Sequence, residues 1–169
     1  MNRINFIRSL AAGSLGLTIQ SSILQSQNNP KPEALPSDKV KEFVGVCHSD
    51  LEKVKALIVE FPNLVFASWD WGGGDFETGI EAAGHVGRKD IASWLLEKGA
   101  RTNIFLLTML GQTAWMKSYL QLFPAHLFMK GPHGFSLLHH ANKGGEEAAE
   151  LAGYLQQLGL KETRFNLFS

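Results

Sequence analysis

Apolar side chains recur at intervals of three and four residues in four separate stretches of this 169-residue chain. Such spacing places them along one face of an α-helix. The recurring positions are Leu51, Val54, Leu57, Ile58 and Phe61, then Ile91, Trp94 and Leu95, then Met116, Tyr119, Leu120 and Phe123, and finally Leu151, Leu155 and Leu158. The pattern predicts four amphipathic helices, each of which needs a neighbour to cover its apolar face.

Two pairs of similar segments indicate that the chain repeats itself. Residues 55–66 align with residues 117–128, where a Phe-Pro pair coincides, and residues 78–83 align with residues 136–141. Two interleaved pairs, each separated by about 60 positions, imply four units of about 30 residues, a period typical of stacked helical repeats.

The segment from Asp75 to Asn103 resembles the ankyrin repeat. It contains Thr-Gly-Ile-Glu-Ala-Ala-Gly-His-Val-Gly at residues 78–87 and Trp-Leu-Leu-Glu-Lys-Gly-Ala at residues 94–100. The family pattern is T-P-L-H-x-A-A, then a glycine, an apolar pair, L-L and G-A. Residues 134–141 are a looser second copy. The chain is similar in particular to a group of short bacterial ankyrin-repeat proteins. The resemblance implies an all-α solenoid of about four irregular helix-turn-helix repeats.

The repeats and their flanks define the expected domain organisation. We expect a repeat domain at residues 37–160, preceded by a signal-like segment and a linker and followed by a tail that caps the last repeat. The expected ranges are 1–26 for the signal-like segment, 27–36 for the polar, proline-rich linker, about 37–68, 69–101, 102–132 and 133–160 for the repeats, and 161–169 for the tail.

Residues 1–26 have the composition of an export signal. Arg3 and Arg8 precede a short apolar stretch of mostly small side chains, and this order of charge and hydrophobicity directs a segment into the export machinery. We therefore expect a periplasmic or secreted protein, or a cytoplasmic one if the segment is not a working signal. The alternative is an uncleaved, partly disordered tail or a small interfacial helix.

Several glycines and polar side chains hold equivalent places in the repeats and are assigned structural roles. A glycine just past a helix end satisfies free carbonyl groups by adopting a left-handed conformation. In the family a histidine braces neighbouring loops by hydrogen bonds; His139 keeps that position and Glu81 replaces it. The residues assigned structural roles are Thr78, Glu81, Gly87, Gly99, His139 and Gly159.

An enlarged loop at residues 67–76, called the finger below, separates the first two units. Its large apolar side chains are unfavourable in water unless they pack back on the helices or contact a partner. Aromatic side chains beside carboxylates are typical of protein-binding hot spots. The alternative, that the tryptophans only clamp the loop, stays open. The residues expected to contact a partner are Trp69, Asp70, Trp71, Asp75, Phe76 and His133.

The composition excludes several classes of protein. Sixteen Lys and Arg residues balance 16 Asp and Glu residues, which argues against a nucleic-acid partner. No apolar run reaches the roughly 18 residues of a membrane span, so we expect no stable membrane insertion. The single cysteine, Cys47, cannot form an intrachain disulfide or a cysteine-based zinc site.

Acidic and histidine side chains near the finger raise the question of a metal or acid–base site. Asp70, Asp75, Glu77 and Glu81 lie close to His85 in sequence, but their spacing matches no established ligand motif. The adjacent His139 and His140 point about 100° apart on a helix and cannot easily share one ion. We therefore expect no catalytic residue, no metal ligand and no cofactor.

The leading functional interpretation is a monomeric, non-enzymatic interaction module. Stacked repeats present an extended concave face and variable loops, so we expect the finger and this face to bind another protein. The alternative is a small-molecule-binding protein, a metal-binding protein or an enzyme that uses the acidic loop at residues 69–75 with His85 and His133.

Overall fold

The computed structural model describes residues 31–168. The expected export signal and residues 27–30 of the expected linker lie outside the described residues. The chain from Ala34 onward forms one compact unit. No helix in the described part of the chain has the length and apolar character needed to cross a membrane.

Eight α-helices, in four consecutive pairs, make up most of residues 31–168. The pairs are α1 (Ser37–Val46) with α2 (Leu51–Glu60), α3 (Gly79–Val86) with α4 (Lys89–Glu97), α5 (Ile104–Met109) with α6 (Thr113–Leu122), and α7 (Leu137–Gly144) with α8 (Ala149–Gln157). Short 3₁₀ turns occupy Pro62–Phe66, Pro124–Phe128, Pro132–Gly134 and Gly145–Ala148. The prediction of a mostly helical chain is confirmed over this range.

Successive helix pairs pack on one another and bury two apolar clusters. The first helices of the pairs contact each other in order, α1 to α3, α3 to α5 and α5 to α7. Helix α5 joins the clusters, because Leu106 and Met109 belong to the first, and Ile104 and Phe105 to the second. Each fully buried side chain of this size contributes roughly 1.5–3 kcal/mol to the stability of the fold. Because each cluster combines side chains from successive pairs, no pair buries its apolar face alone.

The finger is a β-hairpin, which the sequence analysis did not predict. Strand β1 (Ser68–Asp70) pairs antiparallel with β2 (Phe76–Thr78), with Trp69 opposite Glu77. Oδ1 of Asp70 accepts hydrogen bonds from the backbone N–H groups of Gly72 and Gly74, at 2.8 and 3.1 Å, and so closes the turn. Because side chains alternate along a strand, β2 exposes Phe76 and buries Glu77.

Glycines end helices as their spacing predicts. Gly99 and Gly159 follow α4 and α8 with φ of 87° and 102°, and Gly87 follows α3 with φ of 82°. These left-handed values let the glycines close the helix C-termini without the clash that a side chain would introduce.

Polar side chains at the start of the second and fourth pairs brace the loops. Thr78 caps α3, and Oε2 of Glu81 accepts hydrogen bonds from the Thr78 backbone N–H (2.8 Å) and hydroxyl (2.7 Å). Oε1 of Glu81 accepts one from Nδ2 of Asn103 at 2.6 Å. Nε2 of His139 donates to the backbone carbonyl of His85 at 2.8 Å, which ties α7 to α3.

The tail lies against the start of the fourth pair. The Ser136 hydroxyl donates to the carbonyl of Glu162 at 2.6 Å, and the N–H of Phe165 donates to the carbonyl of Gly134 at 2.8 Å. The Phe165 ring packs on the second apolar cluster. The tail therefore covers part of the core at the end of the stack.

Candidate metal centre

Four side chains from four separate segments converge beside the finger. They are His48, in the turn after α1, Glu77 on β2, His85 on α3, and His133 in the 3₁₀ turn before α7. One potential ligand atom from each lies within 4.8 Å of all the others. Three imidazole nitrogens and a carboxylate at such short range form a typical metal-ligand set.

Nε2 is the atom that each imidazole directs at the centre. Nε2 of His85 lies 2.9 Å from Oε1 of Glu77, and Nε2 of His133 lies 3.4 Å from the same oxygen. Nε2 of His48 lies 2.9 Å from Nε2 of His85 and 3.6 Å from Oε2 of Glu77. A single ion is therefore within reach of all four groups.

The Glu77 carboxylate is fully buried, and its two oxygens differ. Oε2 accepts a hydrogen bond from the indole Nε1–H of Trp71 at 2.8 Å. Oε1 has no hydrogen-bond donor in suitable geometry among the described residues, although Nε2 of His85 lies 2.9 Å from it. Burial alone would raise the pKa of Glu77, but His85, His48 and the Trp71 N–H more than offset this effect, and the pKa lies below its usual value. A buried anionic oxygen without a hydrogen-bond donor is costly.

Hydrogen bonds at the far side of two imidazole rings fix their orientation. Nδ1 of His48 faces the carbonyl oxygens of Val44 and Gly45 at 3.2 and 3.0 Å. Nδ1 of His133 faces Oδ2 of Asp75 at 2.7 Å. Carbonyl oxygens accept only, as does an ionised carboxylate, so both Nδ1 atoms carry hydrogen. In the neutral form of each ring, the Nε2 lone pair therefore faces the centre. Metal-ligating histidines are oriented in this way.

His133 adopts an unusual backbone conformation to reach the centre. Its φ of 58° is the one positive value at a non-glycine position within residues 31–168. Left-handed backbone is unfavourable for a residue with a Cβ atom, and such strain concentrates at functional sites. The conformation, stabilised by Asp75, keeps the imidazole beside Glu77.

Trp71 lies over the solvent-facing side of the centre. Its ring centroid is 6.5 Å from that of His48 and 6.3 Å from that of His133. The His48 and His133 side chains are 26% and 22% exposed, whereas those of His85 and Glu77 are 9% and 0% exposed. An ion would therefore enter beside Trp71, between the two outer histidines.

The residues expected to bind a partner make different kinds of contact in the structure. The Trp69 ring packs on the first apolar cluster with the Lys41 ammonium 5.6 Å from its centroid, whereas Phe76 is 60% exposed. Asp70 closes the hairpin turn, and Asp75 orients His133. The structure therefore brings together Trp71, Asp75 and His133 from that set.

The metal alternative considered in the sequence analysis named part of this centre. His85 and His133 are present in it, but Glu81 and Asp70 bind other groups. Glu77 was considered with His85 and set aside, and His48 was not considered as a ligand. The expectation of no metal ligand stays a prediction, which the arrangement of these four side chains makes testable. The feature that identifies Glu77 as a ligand is its inward-facing position on strand β2. This strand is too short for the alternation of inward and outward side chains to be recognised from the sequence.

Other titratable side chains nearby do not belong to the centre. Cys47 is buried beside the same turn, and burial raises the pKa of its thiol, so it stays protonated. His140 is also buried, and burial lowers its pKa to about 4. Its Nδ1 donates to the carbonyl of Ser136 at 2.8 Å.

Comparison with known proteins gives no independent guide to the function. The sequence matches no protein-family model, and neither a curated protein sequence nor a solved structure matches it significantly.

Proposed function

We propose that this protein binds a divalent transition-metal ion through His48, Glu77, His85 and His133. The observation that carries the proposal is Oε1 of Glu77, a fully buried carboxylate oxygen that accepts no hydrogen bond from the described residues and lies among three imidazole Nε2 atoms. A cation at the centre supplies the missing partner.

The donor set indicates which class of ion fits. Imidazole nitrogens suit Zn²⁺ and its neighbours in the first transition row, whereas Mg²⁺ and Ca²⁺ prefer sets made of oxygen alone. Two of the imidazoles are held in the tautomer that a metal requires. In the metal-free protein, a proton on Nε2 of His85 can bridge to His48 at 2.9 Å, but it leaves Oε1 of Glu77 without a hydrogen bond.

Titration of the chelator-treated protein with Zn²⁺ in a calorimeter tests the proposal. We expect one ion per chain. Glu77→Gln should weaken binding by at least the roughly 10–100-fold that is typical when a residue supporting a metal ligand is lost. His126→Gln is a matched control, because His126 bonds Tyr119 at 2.6 Å and takes no part in the centre. Equal Zn²⁺ affinities of the wild type and Glu77→Gln would refute the proposal.

A second function, protein binding by the finger, is supported by Phe76, which is 60% exposed at the hairpin. The four helix pairs suit the ankyrin-type stack that the sequence resembles, and such stacks bind partners through their loops. Affinity capture with the wild type and with Phe76→Ala separates the cases. A partner retained in stoichiometric amount by the wild type should be lost by Phe76→Ala without a change in thermal unfolding, and retention by both would contradict this role. If residues 1–26 act as the export signal that their composition predicts, the partner is periplasmic or secreted.

A further inference from the structure

We infer that the centre is a closed, four-coordinate N₃O site and that Trp71 is the positioning residue that limits Glu77 to one metal bond. This inference rests on the proposed metal-binding function. It specifies the coordination number, and with it the ions that the protein prefers.

The hydrogen bond from Trp71 gives the two Glu77 oxygens different roles. Indole Nε1–H is a donor only, and it lies 2.8 Å from Oε2. This bond uses one lone pair of Oε2 and draws electron density from that oxygen, so Oε2 is the weaker of the two potential metal ligands. Oε1 accepts no hydrogen bond and lies 2.9 and 3.4 Å from two of the imidazole nitrogens, so it is the oxygen available to the ion.

The number of protein donors then equals the number that a structural zinc site uses. Three imidazole nitrogens and one carboxylate oxygen complete a tetrahedral set, whereas catalytic zinc sites keep one position for water or substrate. The Trp71 ring lies beside both outer histidines, on the side from which an additional water ligand would approach. Both effects of Trp71 favour four coordination.

A closed tetrahedral centre should select among metals by geometry. Zn²⁺ has no ligand-field preference and accepts a tetrahedral set, whereas Ni²⁺ favours square-planar or octahedral sets. The ligands come from the first, second and fourth helix pairs or the segments beside them. The bound ion therefore cross-links distant parts of the fold, which indicates a stabilising role rather than a catalytic one.

Visible absorption of the Co²⁺-loaded protein measures the coordination number. We expect the intense visible bands of tetrahedral Co²⁺ in the wild type. Trp71→Phe removes the N–H but keeps an aromatic ring, so Glu77 becomes free to bind through both oxygens and the bands should weaken. Trp69→Phe is the control, because Trp69 packs on the core and lacks this hydrogen bond, and its spectrum should equal that of the wild type.

A competition between Zn²⁺ and Ni²⁺ provides a second measurement, and its result for the wild type does not depend on the folding of a variant. The wild type should prefer Zn²⁺, and Trp71→Phe should reduce the preference by about tenfold, the lower end of the range for residues that orient ligands. Weak Co²⁺ bands in the metal-loaded wild type, or a spectrum unchanged by Trp71→Phe, would overturn the inference while leaving metal binding intact. Failure to bind either Zn²⁺ or Co²⁺ would instead refute the proposed function.

Discussion

Asp75 and His133 are joined by two hydrogen bonds although 58 positions separate them in the chain. Oδ2 of Asp75 accepts from Nδ1–H of His133 at 2.7 Å, and Oδ1 accepts from the His133 backbone N–H at 2.8 Å. The carboxylate thus fixes both the tautomer of the ring and the position of its backbone. It also joins the finger to the segment that leads into the last helix pair.

Asp75→Asn should weaken metal binding without removing a ligand. An amide in this position has half the acceptor capacity of the carboxylate and no charge to increase the basicity of the ring. Loss of such a partner typically lowers metal affinity by about 10–100-fold. Competition of the protein with a chromophoric chelator for Zn²⁺ measures the change.

Asp70→Asn is the matched control for this variant. Asp70 lies in the same finger, but its carboxylate caps Gly72 and Gly74 and makes no contact with the histidines. Its substitution should leave Zn²⁺ affinity within about twofold of the wild type, since surface changes of this kind shift free energies by no more than about 0.5 kcal/mol. Equal losses in the two variants would show that Asp75 acts only by shaping the finger.

The left-handed backbone at His133 predicts a difference between two variants that both lack the imidazole. His133→Ala keeps the penalty for a Cβ atom at φ of 58°, whereas His133→Gly removes it. The penalty is about 1–2 kcal/mol, partly offset by the greater freedom of glycine in the unfolded chain. Urea unfolding in EDTA should therefore find His133→Gly more stable than His133→Ala by about 0.5–1 kcal/mol. The reverse order would mean that the turn relaxes when the imidazole is absent.

The apolar periodicity predicts much of the fold, because helix faces are encoded by neighbours three and four positions apart. It finds the second helix of each pair, from Leu51 to Leu158, and the Phe-Pro boundaries at Phe61 and Phe123. The finger hairpin is missed because each strand has three residues, too few for alternation to differ from chance. Strand pairing there depends on the turn that Asp70 closes.

The centre is harder to predict than the fold, because no two of its ligands lie within one turn of a helix. The sequence marks His85 and His133 as candidate ligands because they are histidines near the acidic loop. Their position beside His48 results from the packing of the helix pairs. From the sequence alone, Glu77 cannot be distinguished from the solvated acidic residues around it. Its burial follows from the strand register, in which it lies opposite Trp69. A ligand set assembled by tertiary contacts leaves no local motif.

Helix termination at Gly99 should be sensitive to any side chain. Within residues 31–168, no neighbouring atom lies within 4 Å of the position that a Cβ would take, so the φ of 87° is what opposes a substitution. Gly99→Ala should lower the free energy of unfolding by about 1 kcal/mol. Gly153 has similar space around it but lies within α8 without a positive φ, so Gly153→Ala should stabilise by about 0.5–1 kcal/mol. Chemical denaturation of both variants checks the opposite signs.

Burial of His140 predicts a loss of stability in mild acid. Its pKa of about 4 in the folded chain lies below the ordinary value of about 6.5, so between these values the unfolded chain binds the additional proton. The stabilisation is complete above about pH 6.5 and is lost as the pH falls toward 4, with a total of about 3 kcal/mol. His140→Asn retains a donor for the Ser136 carbonyl but does not titrate. Unfolding free energies of both proteins, measured in EDTA from pH 7 to 4, should therefore decline more steeply for the wild type. The ring of His139 lies 5.5 Å from that of His140. Because His139 is present in both proteins, its own contribution to the pH dependence cancels in the comparison. Parallel pH profiles would show that the pKa of His140 is the same in the folded and the unfolded chain, so that burial does not lower it.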